Sequence, residues 1–326
     1  MKKRLYLRNV VKRTVASLAV ILVFTSCEKE DFDSQFIKGL KLDNYPIMDG
    51  STSTLPLNVL IACKLMGIDY ESSYNDGVWG LQPKISSKYS DKFWQRVKSS
   101  QTHQSFINLI DNKVDITLSA RKMSPDEKAY ADAAGVNLIE IPIALDAFIF
   151  VINLNNNSIE TLTIEQIQRI YTGKITNWQD VGGLDYTINP YIRNANSGSQ
   201  ELMESLVMKD VSNMGFPIAS EELIIITMAQ LFETVFHDPN GIGYTLYYYK
   251  EHILSGFGGM VKSVAINGVY PNRESISNKS YPFVAEVYAV IRSDLDKSSP
   301  AYEVFEFLQT EKGKQIIRES GYIITD

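Results

Sequence analysis

The alternation of apolar and polar positions divides the chain into short strand-like runs and one-sided helical faces. Tyr45-Pro46-Ile47-Met48 predicts a strand. A hydroxyl-rich turn follows, Asp49-Gly50-Ser51-Thr52-Ser53-Thr54-Leu55-Pro56, and then an apolar helix containing Leu57–Met66. Pro56 suits the first turn of that helix, where its missing N–H costs nothing. Residues 70–100 are polar and aromatic with no clean period. Ser105–Ile110 predicts a helix and Val114–Leu118 a strand. Ser124-Pro125-Asp126-Glu127 opens another helix with a cap, a proline and two early acids. Val136–Ile143 and Ala147–Asn153 predict two strands, the second apolar almost throughout, as a strand buried on both faces would be. Thr163-Ile164-Glu165-Gln166 begins a helix running to about Tyr171. Strands at Asn189–Arg193 and Gly241–Tyr249 bracket two helices, the second near Met228–Phe236. Ser263–Ile266 and Tyr281–Ile291 predict strands. Ser299-Pro300 caps a helix at Ala301–Gln309, and Glu311–Glu319 predicts the last one. Strands and helices alternating in this way imply an α/β class with parallel sheets. Ligands of such sheets bind at the carboxyl ends of strands, close to helix N-termini.

The first residues depart from this pattern. Six basic residues and no acid fall within the first 26, followed by the short apolar run Val15–Phe24 and then Thr25-Ser26-Cys27. A basic head, a short apolar core and small residues read as a secretory signal over 1–26, too short and wrongly flanked for a membrane span. Small residues before a cysteine resemble the lipoprotein signal of bacteria, in which that cysteine is lipidated. A plain signal anchor is the other reading. Glu28-Lys29-Glu30-Asp31 resembles the acidic tag that directs some Bacteroidetes-type lipoproteins to the outer cell surface, and residues 27–44 read as a tether. Formal net charge is −6, and the chain after residue 26 holds 26 basic against 38 acidic residues, a balance of −12. That excess argues against non-specific nucleic-acid binding. An anionic ligand would need a local site rather than the overall field. Cys63 sits in an apolar helix, so a buried, inert thiol is expected.

Local chemistry points to such a site. Arg193 stands four residues ahead of Ser197-Gly198-Ser199, and a helix-like pattern follows with apolar residues at 202, 203, 206 and 207. A turn at a helix N-terminus offers unpartnered N–H groups and a positive dipole end. Gly198 allows close backbone approach, the serines add hydroxyls, and a guanidinium matches an oxyanion in shape. These features make a cradle for a small anion, although helix capping beside a surface arginine would produce the same residues. The Ser51–Thr54 turn repeats the arrangement with more hydroxyls than a cap requires. Arg121 and Lys122, after the Val114–Leu118 strand, are a third possible contact, or a solvated loop.

Taken together, several segments resemble the phosphate-binding lipoproteins of ABC importers. They are Asp49–Thr54, Val114-Asp115-Ile116, Tyr171-Thr172-Gly173-Lys174-Ile175-Thr176-Asn177-Trp178, Arg193 with Ser197-Gly198-Ser199, and Gly241-Ile242-Gly243-Tyr244. The resemblance runs from about residue 45 to the C-terminus. It implies a type II periplasmic binding protein, with two α/β lobes joined by two crossing strands around a ligand cleft. Lobe 1 would comprise 45–146 plus 287–326, and lobe 2 would comprise 147–286. The implied ligand groups are Ser53, Thr54 and Leu55 from the first turn, Thr102 from a loop, and Ser119 and Arg121 after the Val-Asp-Ile strand. Arg193 would be the bidentate cation, with Ser197, Gly198 and Ser199 as cap donors. One position departs from the family pattern. The aspartate that accepts the hydrogen of bound phosphate, and repels sulfate, is replaced here by Ala120.

The implied function is capture of phosphate or a similar oxyanion for ABC-type import, without catalysis, cofactor or metal. The implied partners are the anion, an ABC permease and a membrane held through Cys27, with the protein monomeric and lipid-anchored in the cell envelope. Two alternatives stay open. One is a surface lipoprotein that binds a partner and has lost the anion. The other is a phosphate-ester hydrolase, which would need an activated nucleophile or metal ions. The chain has only His103, His237 and His252, and no His-Glu-x-x-His or Gly-x-Ser-x-Gly pattern.

Overall fold

The computed structural model describes residues 32–75, 78–156, 158–209, 211, 221–257 and 259–324. The expected signal segment, Cys27 and the acidic run 28–31 lie outside the described residues. Among the described residues no helix is long and apolar enough to cross a membrane.

Strand β1 (Met48–Gly50) passes through a 3-10 turn at Thr52–Thr54 into α1 (Leu55–Met66). Apolar residues surround this helix, so it is buried on nearly every side, and Gly67 ends it in the left-handed region at φ 62. Cys63 is buried and free, and burial pushes its thiol up to about 12. The stretch without a clear period forms a hairpin, β2 (Tyr70–Asn75) with β3 (Val78–Pro83), and then α2 (Ser87–Arg96). The hairpin is exposed along much of its length, so no buried face imposed an alternation on its sequence. Helix α3 (Thr102–Ile110), strand β4 (Ile116–Ser119) and helix α4 (Pro125–Ala134) follow. Ser124 and Glu127 cap α4 reciprocally. Within the stretch expected as a tether, Ile37, Leu40 and Leu42 are buried in the core.

The two strands expected over 136–153 are one, β5 (Leu138–Asn153). Pro142 and Asp146 break the apolar pattern but not the strand. A register shift at Val287/Tyr288 leaves Ile143 unpaired between Pro142 and Ala144, and so accommodates the proline. The chain continues through β6 (Thr161–Leu162), α5 (Ile164–Tyr171), β7 (Asn189–Pro190), β8 (Ile192–Arg193), α6 (Gly198–Leu202) and β9 (Ile224–Ile225). It then forms α7 (Met228–His237), β10 (Gly241–Leu246), β11 (Val261–Ser263), β12 (Ala265–Ile266), α8 (Arg273–Ser277), β13 (Val284–Arg292), α9 (Pro300–Phe307) and α10 (Glu311–Glu319). The expected strand at 189–193 is thus split. Its first part joins β10, and its second pairs with β9 in a separate small sheet.

The main sheet runs β1-β4-β13-β5-β10-β7, with β11 also on β5. It is mixed rather than parallel throughout, correcting the sequence expectation. β1–β4 and β10–β7 are parallel, whereas β13 is antiparallel to β4 and β5, and β10 is antiparallel to β5. Antiparallel neighbours need no helical crossover, so helix–strand alternation does not constrain them. β5 serves both halves of the fold. Leu138–Ala147 pair with β13, and Phe148–Ile152 pair with β10. Phe148, Phe150, Tyr171, Tyr244 and Phe283 form an aromatic cluster where the halves meet, with ring centroids 5.2–6.2 Å apart.

Candidate functional site

Four helix starts contribute to one cavity of about 520 Å³. They are the Ser51–Ser53 turn before α1, Gln101–Gln104 at α3, Ser197–Ser199 at α6 and Thr227–Ala229 at α7. First-turn N–H groups have no intrahelical acceptors, and each start carries a partial positive charge. The lining includes Arg121, Arg193 and His103 but no Asp or Glu among the described residues. An acidic chain therefore encloses a locally positive cavity.

Arg193 is 7% exposed and forms no ion pair among the described residues. Its Nε donates to Ile225 O at 2.9 Å and its Nη2 to Ile226 O at 2.9 Å. Nη1 has no hydrogen-bond acceptor among the described residues. Its backbone N–H donates to Tyr244 Oη at 2.9 Å, which holds β8 against β10. Burial lowers the guanidinium below its ordinary value, as expected for a cation without a counter-ion. After Arg193, Asn196 takes φ 62, a left-handed conformation asparagine tolerates. Ser197 then caps α6 by accepting from Gln200 N–H at 3.2 Å. A Cβ on Gly198 would lie 2.5 Å from Thr102 Oγ1, so α3 and α6 approach closely enough that this position needs glycine.

The structure therefore brings Ser53, Thr102, Arg121, Arg193, Ser197, Gly198 and Ser199 to one cavity. Thr54, Leu55 and Ser119 do not line it. Thr54 Oγ1 lies 3.0 Å from the carbonyl oxygens of both Ser51 and Leu118, tying the first turn to β4. Ser119 Oγ donates to Arg121 O at 2.8 Å, and so shapes the next turn. Arg121 is on the wall, but its guanidinium is engaged elsewhere. Nη1 and Nη2 each donate to Glu127 at 2.7 Å, and Glu127 is fully buried. Thr102, expected in a loop, is the first residue of α3. Ahead of it Gln101 takes φ 69 without glycine's freedom, a strained conformation at the cavity edge.

Sequence reasoning missed Gln101, His103 and the start of α7. Thr227, which accepts from Gln230 N–H at 3.1 Å, was a readable cap signal. Nothing local to Thr227 showed that it would face Ser197. Among the described residues no group of three or more His, Cys, Asp or Glu is placed to hold a metal ion.

A phosphate-binding protein, PstS, of Borreliella burgdorferi is 25% identical over 221 residues, covering 67% of this chain and 75% of the relative. The protein of that name from Staphylococcus epidermidis is 25% identical over 250 residues, covering 74% of each. Among solved structures, an ABC-type phosphate transport receptor from Vibrio cholerae superposes with a TM-score of 0.60 at 22% identity, covering 85% of this chain and 98% of that one. The shared fold is the type II periplasmic binding protein, with α/β lobes on either side of a cleft. The PBP superfamily domain matches residues 71–309, and the chain accordingly belongs to the PBP superfamily.

Proposed function

We propose that this chain captures phosphate or a closely similar tetrahedral oxyanion in the cavity around Arg193, without chemical change, and hands it to an ABC-type importer. One observation carries the reading. A nearly fully buried guanidinium, with no carboxylate partner among the described residues, lies where four helix starts converge. Burying an unpaired cation is costly, and a bound anion removes that cost. The relatives, each described as a phosphate-binding protein, favour phosphate within the oxyanion class.

Several finer features belong to the same proposal. Lobe 1 comprises 45–146 with 287–326, and lobe 2 comprises 147–286, so that closure over the anion bends the chain around β5 and β13. Residues 1–26 are removed as a signal, Cys27 carries the lipid, and the protein works as a monomer at an extracytoplasmic membrane face. Thr54, Leu55 and Ser119 reach the anion only through their backbone or on closure. Calorimetric titration of the purified, anion-free protein with phosphate, arsenate and sulfate should show saturable 1:1 binding of at least one. A folded protein that binds none of the three would favour the partner-binding lipoprotein instead.

Ala120 lines the cavity beside Arg121. Ala120→Asp places a carboxylate there, able to accept the hydrogen of a protonated oxyanion and to repel a fully ionised one. The phosphate-to-sulfate affinity ratio should rise by at least about tenfold. An unchanged ratio in competition titrations would mean that position 120 does not face the ligand.

A further inference from the structure

A protonated oxyanion carries one O–H, which needs an acceptor on the protein. The cavity wall offers no carboxylate among the described residues, and Ala120 supplies no acceptor side chain. Hydroxyls, carboxamides and one imidazole remain. The imidazole, His103, is distinguished by what holds it. His103 Nδ1 lies 3.1 Å from Glu127 Oε1. Glu127 is fully buried and gripped on both oxygens by Arg121, and it also accepts from Ser124 N–H at 2.8 Å. Arg121 is in turn fixed by donating to Lys122 O at 2.7 Å and by lying 5.5 Å from the centre of the Phe106 ring. The carboxylate therefore cannot swing away from the imidazole.

This cluster determines the tautomer. A carboxylate beside Nδ1 keeps the hydrogen on that nitrogen, so in the neutral ring Nε2 is a lone-pair acceptor. Nε2 lies on the side of the ring away from Glu127. The His103 side chain is 34% exposed and lines the cavity, whereas Glu127 has no exposure, so the ring spans from the buried cluster to the ligand space. The charged groups nearest the ring are Glu127 from α4 and Arg121 from the turn after β4, with Glu201 of α6 and Asp126 of α4 close to that pair and Arg193 on the wall of the same cavity. Asp49 of β1, behind α3, is occupied by Gly50 N–H, Ser100 N–H and the Asn108 amide.

We propose that His103 reads the protonation state of the bound oxyanion. The neutral ring accepts the O–H of a monohydrogen oxyanion through Nε2. A fully ionised oxyanion such as sulfate has no hydrogen to give that acceptor, so the ring favours the monohydrogen anion. The inference rests on the oxyanion-binding function proposed above.

The test is calorimetry with inorganic phosphate and with sulfate at about pH 8, on wild type and His103→Asn. Asparagine keeps an amide donor for Glu127 and removes Nε2. Phosphate affinity should fall about tenfold in His103→Asn, while sulfate affinity should change by less than about threefold. His103→Gln, with a neutral acceptor on a longer side chain, should recover part of the phosphate loss. If His103→Asn proves unfolded, His103→Gln gives the same comparison with a smaller expected loss. An unchanged phosphate-to-sulfate ratio in a folded variant, or a wild type that prefers sulfate, would overturn the role of His103. A folded wild-type protein that binds neither anion would overturn the oxyanion reading itself.

Discussion

Arg193→Met is expected to weaken phosphate binding by roughly a hundredfold to several thousandfold, about 3–5 kcal/mol, while the melting temperature of the anion-free protein moves by only a few degrees. The asymmetry follows from how the side chain is buried. In the anion-free protein Arg193 is a desolvated cation whose only described side-chain partners are the carbonyls of Ile225 and Ile226. Methionine loses these two hydrogen bonds, each contributing about 1 kcal/mol net, but removes the cost of an unpaired buried charge. In the bound state the balance reverses, because the anion is left among helix starts without a full counter-charge. Titration calorimetry and anion-free melting curves check both halves. A melting temperature lowered by more than about 10 °C, with binding retained, would make Arg193 a brace for Ile225 and Ile226 and not a ligand group.

The second large effect is on stability. Asp146 is 1% exposed, at the point of β5 where the pairing passes from β13 to β10. Its Oδ1 accepts from Ala147 N–H at 2.7 Å and from Tyr248 N–H at 2.9 Å, and its Oδ2 has no partner among the described residues. Burial raises its carboxyl to about 7, against the two backbone hydrogen bonds that lower it. The folded state therefore keeps a proton that the unfolded chain releases from about pH 4 upward. This group's contribution falls as pH rises from about 4 to 7 and is constant above that. The whole span amounts to about 4 kcal/mol. Asp146→Asn keeps the acceptor oxygen, removes the titration and leaves one buried N–H pair lacking a partner, at about 1–3 kcal/mol. The variant should therefore be more stable than wild type at pH 8, by about 1–3 kcal/mol, and lose that advantage near pH 5. Urea melts at the two pH values measure this. Parallel stability–pH curves for the two proteins would show that Asp146 does not titrate in this range.

The position of Asp146 links that term to the cavity. Tyr248, whose N–H Asp146 accepts, stacks on Tyr322 with ring centroids 3.8 Å apart, and Tyr322 Oη donates to Ser53 O at 3.0 Å. One chain of contacts thus runs from the strand shared by both halves to the turn that lines the candidate cavity.

Much of this arrangement was legible in the residues. Pro56, Ser124 with Glu127, Thr163 with Gln166 and Ser299 with Pro300 marked helix starts that the structure places as expected, because caps act within one turn of the chain. Arg193 and the Ser-Gly-Ser turn were recognisable for the same reason, since arginine, hydroxyl and glycine at that spacing are a local chemical unit. The hairpin at 70–83 was not legible, because no buried face patterned its sequence. The unity of β5 was hidden by Pro142 and Asp146, whose compensations come from residues as distant as Val287 and Tyr248. Distance along the chain also hid the function of Glu127. Its sequence role was a cap, and only the packing of α3 against α4 turned it into the clamp for Arg121 and His103. The sequence by itself determined the capped helix starts and the α/β class, and it singled out Arg193 as the candidate cation, because each depends on residues within a few positions. Only the tertiary structure decided that four helix starts share one cavity, that Arg121 is neutralised by Glu127 while Arg193 has no such partner among the described residues, and that Gly198 meets Thr102. Those outcomes are set by long-range strand pairing and burial, which no local pattern encodes.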